Sequence, residues 1–368
     1  MAKKSFPEMD WAAYCDSLKG KAREETVPLL GTFELTPLCN FDCKMCYVHL
    51  KPEQMRKLGR LRTAQEWLDL GRQACDAGTL TLLLTGGEVM TRPDFAEIYA
   101  GLSEMGFIIS IFSNGYLLTD KVLDLLRRRP PLKVRVTLYG ASNETYRRLC
   151  GVPDGYDRVM ENIRLLQAAG VEVGLAFTAT SYNFQDLPLV RRTAKKLDAT
   201  LQVAADLFSP VRGADKDVQS LQLNPSQLEQ MATWDANQNT SGPSQPDKPQ
   251  PQFQAVIEKA KKGQLYGSPL EVCGSRRCGF WVTWNGNMSM CAMVSSVHTE
   301  PFDAGFVKAW KELCARMEQL QFPEPCKTCA YMPFCTSCPG RRAADAGDPE
   351  RICPRHCEQA KAQMRQAR

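Results

Sequence analysis

Short apolar runs rich in β-branched and aromatic residues recur through the first part of the chain, at Gly31–Thr36, Leu80–Thr85, Phe107–Phe112, Val134–Tyr139, Val171–Thr178 and Leu201–Ala205. Runs such as Leu80-Thr-Leu-Leu-Leu84 are nearly continuous in apolar residues, as expected of strands buried on both faces. Helical periodicity separates most of them. Thr63-Ala-Gln-Glu66 reads as a capping box, and Asp94-Phe-Ala-Glu97 is a similar start signal. Gly78, Gly106 and Gly170 fall where those helices should stop. The alternation predicts six βα units, hence an α/β fold with a parallel sheet and helices outside. Six units are too few for a closed eight-stranded barrel. A short amphipathic segment, Trp11–Leu18, precedes them. From Asp215 to Gly267 the pattern loosens, and Asn237–Gln254 contains no Ile, Leu or Val, which suggests a mobile linker. The expected division is an N-terminal helical extension at 1–28, a core at 29–214, a linker at 215–269 and a cysteine-rich domain at 270–368.

The chain has 368 residues, more than one average domain, and 16 cysteines. No signal peptide opens it and no apolar run reaches the roughly 18 residues of a membrane span, so a cytoplasmic location and no membrane partner are expected. In a reducing cytosol, clustered cysteines bind metal or do catalysis rather than form disulfides. The formal net charge of +5 is mild for this length and does not by itself imply nucleic acid. A zinc-bound nucleic-acid-binding protein is nevertheless a competing class, favoured weakly by the run Arg127-Arg-Arg129.

The most informative motif is Cys39-Asn-Phe-Asp-Cys43-Lys-Met-Cys46, directly after the first expected strand. Three thiolates on one loop can hold three irons of a [4Fe–4S] cube and leave the fourth open. A structural zinc site would need a fourth ligand, and His49 is the nearby candidate. The triplet resembles the signature loop of the radical S-adenosylmethionine (SAM) superfamily. That resemblance implies a (βα)6 partial barrel whose open iron chelates SAM, and reductive cleavage of SAM to a 5′-deoxyadenosyl radical. The loop would then lie at the C-terminal end of the first strand, the face where such sheets place their chemistry.

Other segments resemble the same family at the ends of successive strands. Thr85-Gly86-Gly87-Glu88 is similar to its GGE motif, in which glycines permit close approach of a ligand and the Glu takes the SAM ammonium group. Ser113-Asn114-Gly115 resembles the segment near the SAM ribose, Thr137 the residue near the SAM carboxylate, and Met45 the bulky residue beside adenine. Relatives also carry an Arg beyond that fourth strand, and the nearest here are Arg147 and Arg148.

Cysteines return at Cys273, Cys278, Gly286-x4-Cys291, Cys326-x2-Cys329-x5-Cys335-x2-Cys338, Cys353 and Cys357. The arrangement resembles the SPASM extension of radical SAM peptide modifiers, although the last gap in the block is one residue shorter. The resemblance implies two auxiliary [4Fe–4S] clusters, so three per chain. Cys273, Cys278, Cys291 and Cys338 would hold the nearer, and Cys326, Cys329, Cys335 and Cys353 the farther. Cys353 is preferred to Cys357 because it follows Gly347-Asp-Pro349. A pair of zinc knuckles is the plainer alternative, but the gap between Cys329 and Cys335 is short for a zinc ribbon. Cys75, Cys150 and Cys314 are expected to pack as small hydrophobes, Cys15 to lie near the surface, and His49 and His356 not to act as ligands.

The resemblance implies hydrogen abstraction from a C–H bond, expected on a residue of a peptide or protein, by crosslinking, epimerisation or oxidation. Formylglycine formation is disfavoured because Ala292, not an Asp, follows Cys291. Only 38 residues precede Cys39, so leader recognition by this chain itself is not expected; either a separate leader-binding protein or a substrate without a leader is expected instead. A reductant such as flavodoxin or ferredoxin is implied. The alternative within the superfamily is a small-molecule dehydrogenase.

Overall fold

The computed structural model describes residues 11–236, 268–335 and 337–366. The segment expected to be a mobile linker, Asn237–Gln254, lies outside the described residues. All six expected strands form, with ends shifted by a residue or two: β1 Leu30–Glu34, β2 Thr81–Thr85, β3 Ile108–Ser113, β4 Lys133–Thr137, β5 Val173–Thr178 and β6 Leu201–Ala204. Each pairs in parallel with the next, so the six run in chain order across the sheet. Intervening helices cover one face. Thr63 and Glu66 make both bonds of the capping box, at 3.2 and 2.7 Å. Asp94 differs: its carboxylate makes no cap bond and instead pairs with buried Arg92 at 2.6 Å. Gly78, Gly106 and Gly170 take φ of 97°, 87° and 78°, the left-handed exit expected of them.

The sheet is larger than six units predict. β7, Gly279–Val282, comes from the cysteine-rich region and pairs in parallel with the free side of β1, and β8, Met288–Ser289, pairs antiparallel with β7. Apolar packing drives this joining. Phe280 of β7 lies between Phe33 of β1 (6.3 Å between ring centroids) and Phe306 (5.0 Å) of the Phe306–Glu318 helix. One contiguous core therefore runs from the βα units into the C-terminal region.

Strand alternation decides which side chains face inward. Phe33 packs outward on Trp67 of the Ala64–Asp76 helix, 4.8 Å between centroids, so its neighbour Glu34 points to the opposite, inner face. The basic run Arg127-Arg-Arg129 is neutralised locally: Arg127 and Arg128 pair with Asp124, and Arg129 with Glu104, which removes its support for a nucleic-acid surface. No helix among the described residues is long and apolar enough to cross a membrane.

Candidate cofactor and cluster sites

The segment leading into Cys39 is bonded to the turn after β2. Gly87 N donates to Thr36 O at 2.6 Å and Glu88 N to Leu38 O at 2.9 Å. A Cβ on Gly86 would stand 2.4 Å from Thr36 O, and one on Gly87 2.3 Å from Leu38 O. Backbone packing against the cysteine loop thus already requires both glycines, where the sequence suggested ligand approach. The loop is anchored from the other side by the Asn143–Cys150 helix, whose last carbonyls accept from Asp42 N (3.2 Å, from Cys150) and Lys44 N (3.0 Å, from Leu149). Phe41 plugs the loop among Tyr116, Tyr139 and Tyr146, 5.5 to 6.3 Å away.

Cys39, Cys43 and Cys46 are drawn together at the C-terminal end of the sheet. Burial pushes all three thiols up, Cys46 to about 11, and the charges of their neighbours add to the rise. Such a set stays protonated until a cation displaces the protons, as metal thiolate chemistry requires. Cys150, expected to be plain packing, lies beside the Cys43 thiol, as does Tyr139, and both act on its pKa.

Glu88 is fully buried. Its Oε1 accepts from Met90 N (3.0 Å), its Oε2 from Asn114 N (2.6 Å), and Ser113 Oγ lies 3.0 Å from both. Burial raises its pKa against these bonds, and its charge in turn helps raise that of Cys39. Asn114 Nδ2 donates to Asn40 Oδ1 at 2.8 Å and approaches Cys39 Sγ at 3.6 Å. The structure therefore assembles Cys39, Glu88, Ser113 and Asn114 in one place. Met45 and Thr137 are half-buried, in the loop and at the end of β4. Arg147 pairs with Glu144, and Arg148 stacks over Tyr182 together with Lys44, so neither is singled out as a carboxylate ligand.

On the inner wall, Glu34 Oε2 accepts from Arg212 at 2.7 Å and from Trp281 Nε1 at 3.0 Å, and Arg212 also donates to Ala292 O. Burial raises the pKa of Tyr47, and the charges of Arg212, Glu34, Cys46 and Cys291 all act on it, so this polar group lies between the first cysteine loop and the second region. Sequence reasoning missed it. The one available signal was a Glu inside an apolar strand.

In the C-terminal region Cys273, Cys291 and Cys338 come together. Burial raises the Cys273 thiol to about 12, and the charges of Cys291 and Cys338 add to it. Gly340 lies so near that a Cβ there would be 2.9 Å from Cys291 Sγ. Cys278, expected as the fourth member, has a different setting. It is buried with Ala22 and Leu29, where its charge acts on Cys314. Its place before β7 explains this, because alternation puts Cys278 on the same outer face as Phe280.

The farther set also differs from expectation. Burial raises Cys326, Cys335 and Cys357, with like charges acting among Cys326, Cys329, Cys335 and Cys357. Cys353, the expected fourth ligand, is buried beside Asp345 and His356, and its charge also acts on Cys357. His356 Nε2 lies 2.8 Å from Asp345 Oδ2 and His356 Nδ1 2.8 Å from Ser337 Oγ, while Arg355 and Ser209 also bond Asp345. Against its burial, these partners hold the Asp345 carboxyl down at about 2. A buried guanidinium, Arg342, lies near Cys326, Cys335 and Cys338, and no carboxylate among the described residues makes a salt bridge with it. A buried cation flanked by thiols fits anionic metal–thiolate centres at these positions.

Residues 33–189 match the family model of the Radical SAM superfamily. The AdoMet-dependent heme synthase of Methanosarcina barkeri (strain Fusaro / DSM 804) is 25% identical over 341 residues, 87% of this chain and 94% of that protein. The PqqA peptide cyclase of Granulibacter bethesdensis is 25% identical over 167 residues, so the chain matches only 44% of its length. The crystal structure of Streptococcus suis SuiB shares the fold, with a TM-score of 0.66 over 95% of this chain and 83% of that one, at 15% identity. Residues 33–189 thus form a Radical SAM superfamily domain with the partial-barrel fold, followed by a cysteine-rich C-terminal region.

Proposed function

We propose that the chain binds a [4Fe–4S] cluster through Cys39, Cys43 and Cys46, and SAM beside it, and abstracts hydrogen from a residue of a peptide or protein in a reducing cytosol. The observation that carries the reading is the convergence of these three thiols, Cys43 buried and Cys39 and Cys46 partly so, with Glu88, Ser113 and Asn114 at the C-terminal end of β1 to β3. Cluster and SAM together supply a radical able to attack an unactivated C–H bond. The protein's own task is placement. The Gly86–Glu88 turn and the Asn143–Cys150 helix fix the cysteine loop from two sides. Glu88 braces Ser113 and Asn114 against that loop, and its remaining acceptor capacity suits an ammonium group.

We assign two auxiliary clusters, for three in all. Cys273, Cys291 and Cys338 hold the nearer, and Cys326, Cys329, Cys335 and Cys357 the farther, where Cys357 takes the place expected of Cys353. Relatives named for peptide cyclisation, bacteriocin biosynthesis and killing-factor maturation support a peptide substrate. The relative that spans nearly the whole chain is named a heme synthase, which favours a small-molecule substrate as the second reading. A flavodoxin- or ferredoxin-type reductant, and a separate leader-binding protein if the substrate has a leader, complete the proposal.

The test is anaerobic reconstitution of wild type and of the Cys39→Ala/Cys43→Ala/Cys46→Ala variant with iron, sulfide and dithionite. Wild type should hold about 12 Fe and form 5′-deoxyadenosine from SAM, and the variant about 8 Fe and form none, four for each cube. SAM cleavage by the variant would overturn the assignment. Incubation with peptide libraries against small molecules separates the two substrate readings.

A further inference from the structure

Arg342 is 2% exposed and is among the largest fully buried side chains of the protein. Its Nε donates to Pro349 O at 2.6 Å and its Nη1 to Ser337 O at 2.7 Å, and the guanidinium stacks 5.6 Å over Phe322. Its Nη2 has no hydrogen-bond partner among the described residues, and neither does any carboxylate there form a salt bridge with it. A buried, unpaired guanidinium is costly unless an anion lies close. The flanking groups are Cys326 and Cys335 of one set and Cys338 of the other, with Glu350 after them. Ser337, whose carbonyl accepts from Nη1, directly precedes Cys338 and lies two residues after Cys335, so this bond is made next to thiols of both sets.

We propose that Arg342 is a positioning residue for both auxiliary clusters: it holds the Ser337 carbonyl next to Cys338 and places a fixed positive charge beside thiols of both sets, raising the reduction potential of each. The inference rests on the assignment of clusters to these two sets. A nearby cation stabilises the state with the extra electron, and burial leaves that effect little screened. Arg351, an exposed cation of the same region, should lack it because solvent screens its charge.

The experiment uses the full chain carrying Cys39→Ala/Cys43→Ala/Cys46→Ala, so that only auxiliary clusters contribute to an EPR-monitored redox titration. Arg342→Met should lower both potentials while retaining about 8 Fe. Arg342→Lys, which keeps the charge, should restore most of the shift, and Arg351→Met should cause none. If Arg342→Met fails to load iron, Arg342→Gln carries the same comparison, since it can still donate to Ser337 O without the charge. Loss of iron from Met and Gln but not from Lys would also support the charge requirement. Unchanged potentials with full iron, an equal shift in Arg351→Met, or loss of iron from Lys as well would overturn the inference. Iron near four per wild-type chain would instead remove the clusters themselves, which separates failure of the underlying assignment from failure of this one.

Discussion

Cys353 and Cys357 are one helical turn apart, yet their surroundings predict opposite outcomes on replacement. Cys357 shares its electrostatic environment with Cys329, and its charge acts on Cys326 and Cys335. On the proposed assignment, Cys357→Ala removes one of four thiolates from the farther cube, weakening its hold and lowering iron below the about 12 per chain of wild type, by up to about four. Cys353 is 8% exposed and packs against the Asp345–His356 pair. The side chains of that pair keep their bonds to Ser209, Ser337 and Arg355 without it. Cys353→Ala removes one buried sulfur, so stability should fall by only about 1 kcal/mol with iron intact. Iron and sulfide counts on anaerobically reconstituted single variants, with Mössbauer spectra, decide between them. Full iron in Cys357→Ala together with a deficit of one cube in Cys353→Ala would refute the reasoning.

Two further replacements follow from named contacts. Glu88→Gln must present an amide NH2 to either Met90 N or Asn114 N, leaving one buried donor without its acceptor. Stability should fall by about 1–3 kcal/mol, read from the midpoint of anaerobic urea unfolding, and an unchanged midpoint would show that Glu88 is no brace. Cys278→Ala should retain wild-type iron, because that side chain packs with Ala22 and Leu29 rather than with Cys273, Cys291 and Cys338; a loss of about four irons would make it a ligand after all.

The sequence by itself determined the six βα units and the first cysteine loop. Both are written locally, in apolar runs, capping residues and a fixed spacing of thiols, so no distant contact is needed to recognise them. Glu88, Ser113 and Asn114 came from the family resemblance at the ends of β2 and β3, and the structure brings them beside Cys39. Tertiary structure decided the rest. β7 joins β1 because Phe280 finds Phe33 and Phe306, which lie far from it in the chain. Alternation along that strand puts Cys278 on the outer face, with Ala22 and Leu29. The packing of Thr36 to Leu38 on the next turn, rather than a ligand, makes side chains impossible at Gly86 and Gly87. Cys353 and Cys357 are equivalent in composition and nearly so in spacing. Only the partners around the last helix, Asp345 and His356 for one and the thiols of the Cys326–Cys335 block for the other, tell them apart. Side-chain direction depends on which residues arrive from elsewhere in the chain, and spacing along the sequence does not record that.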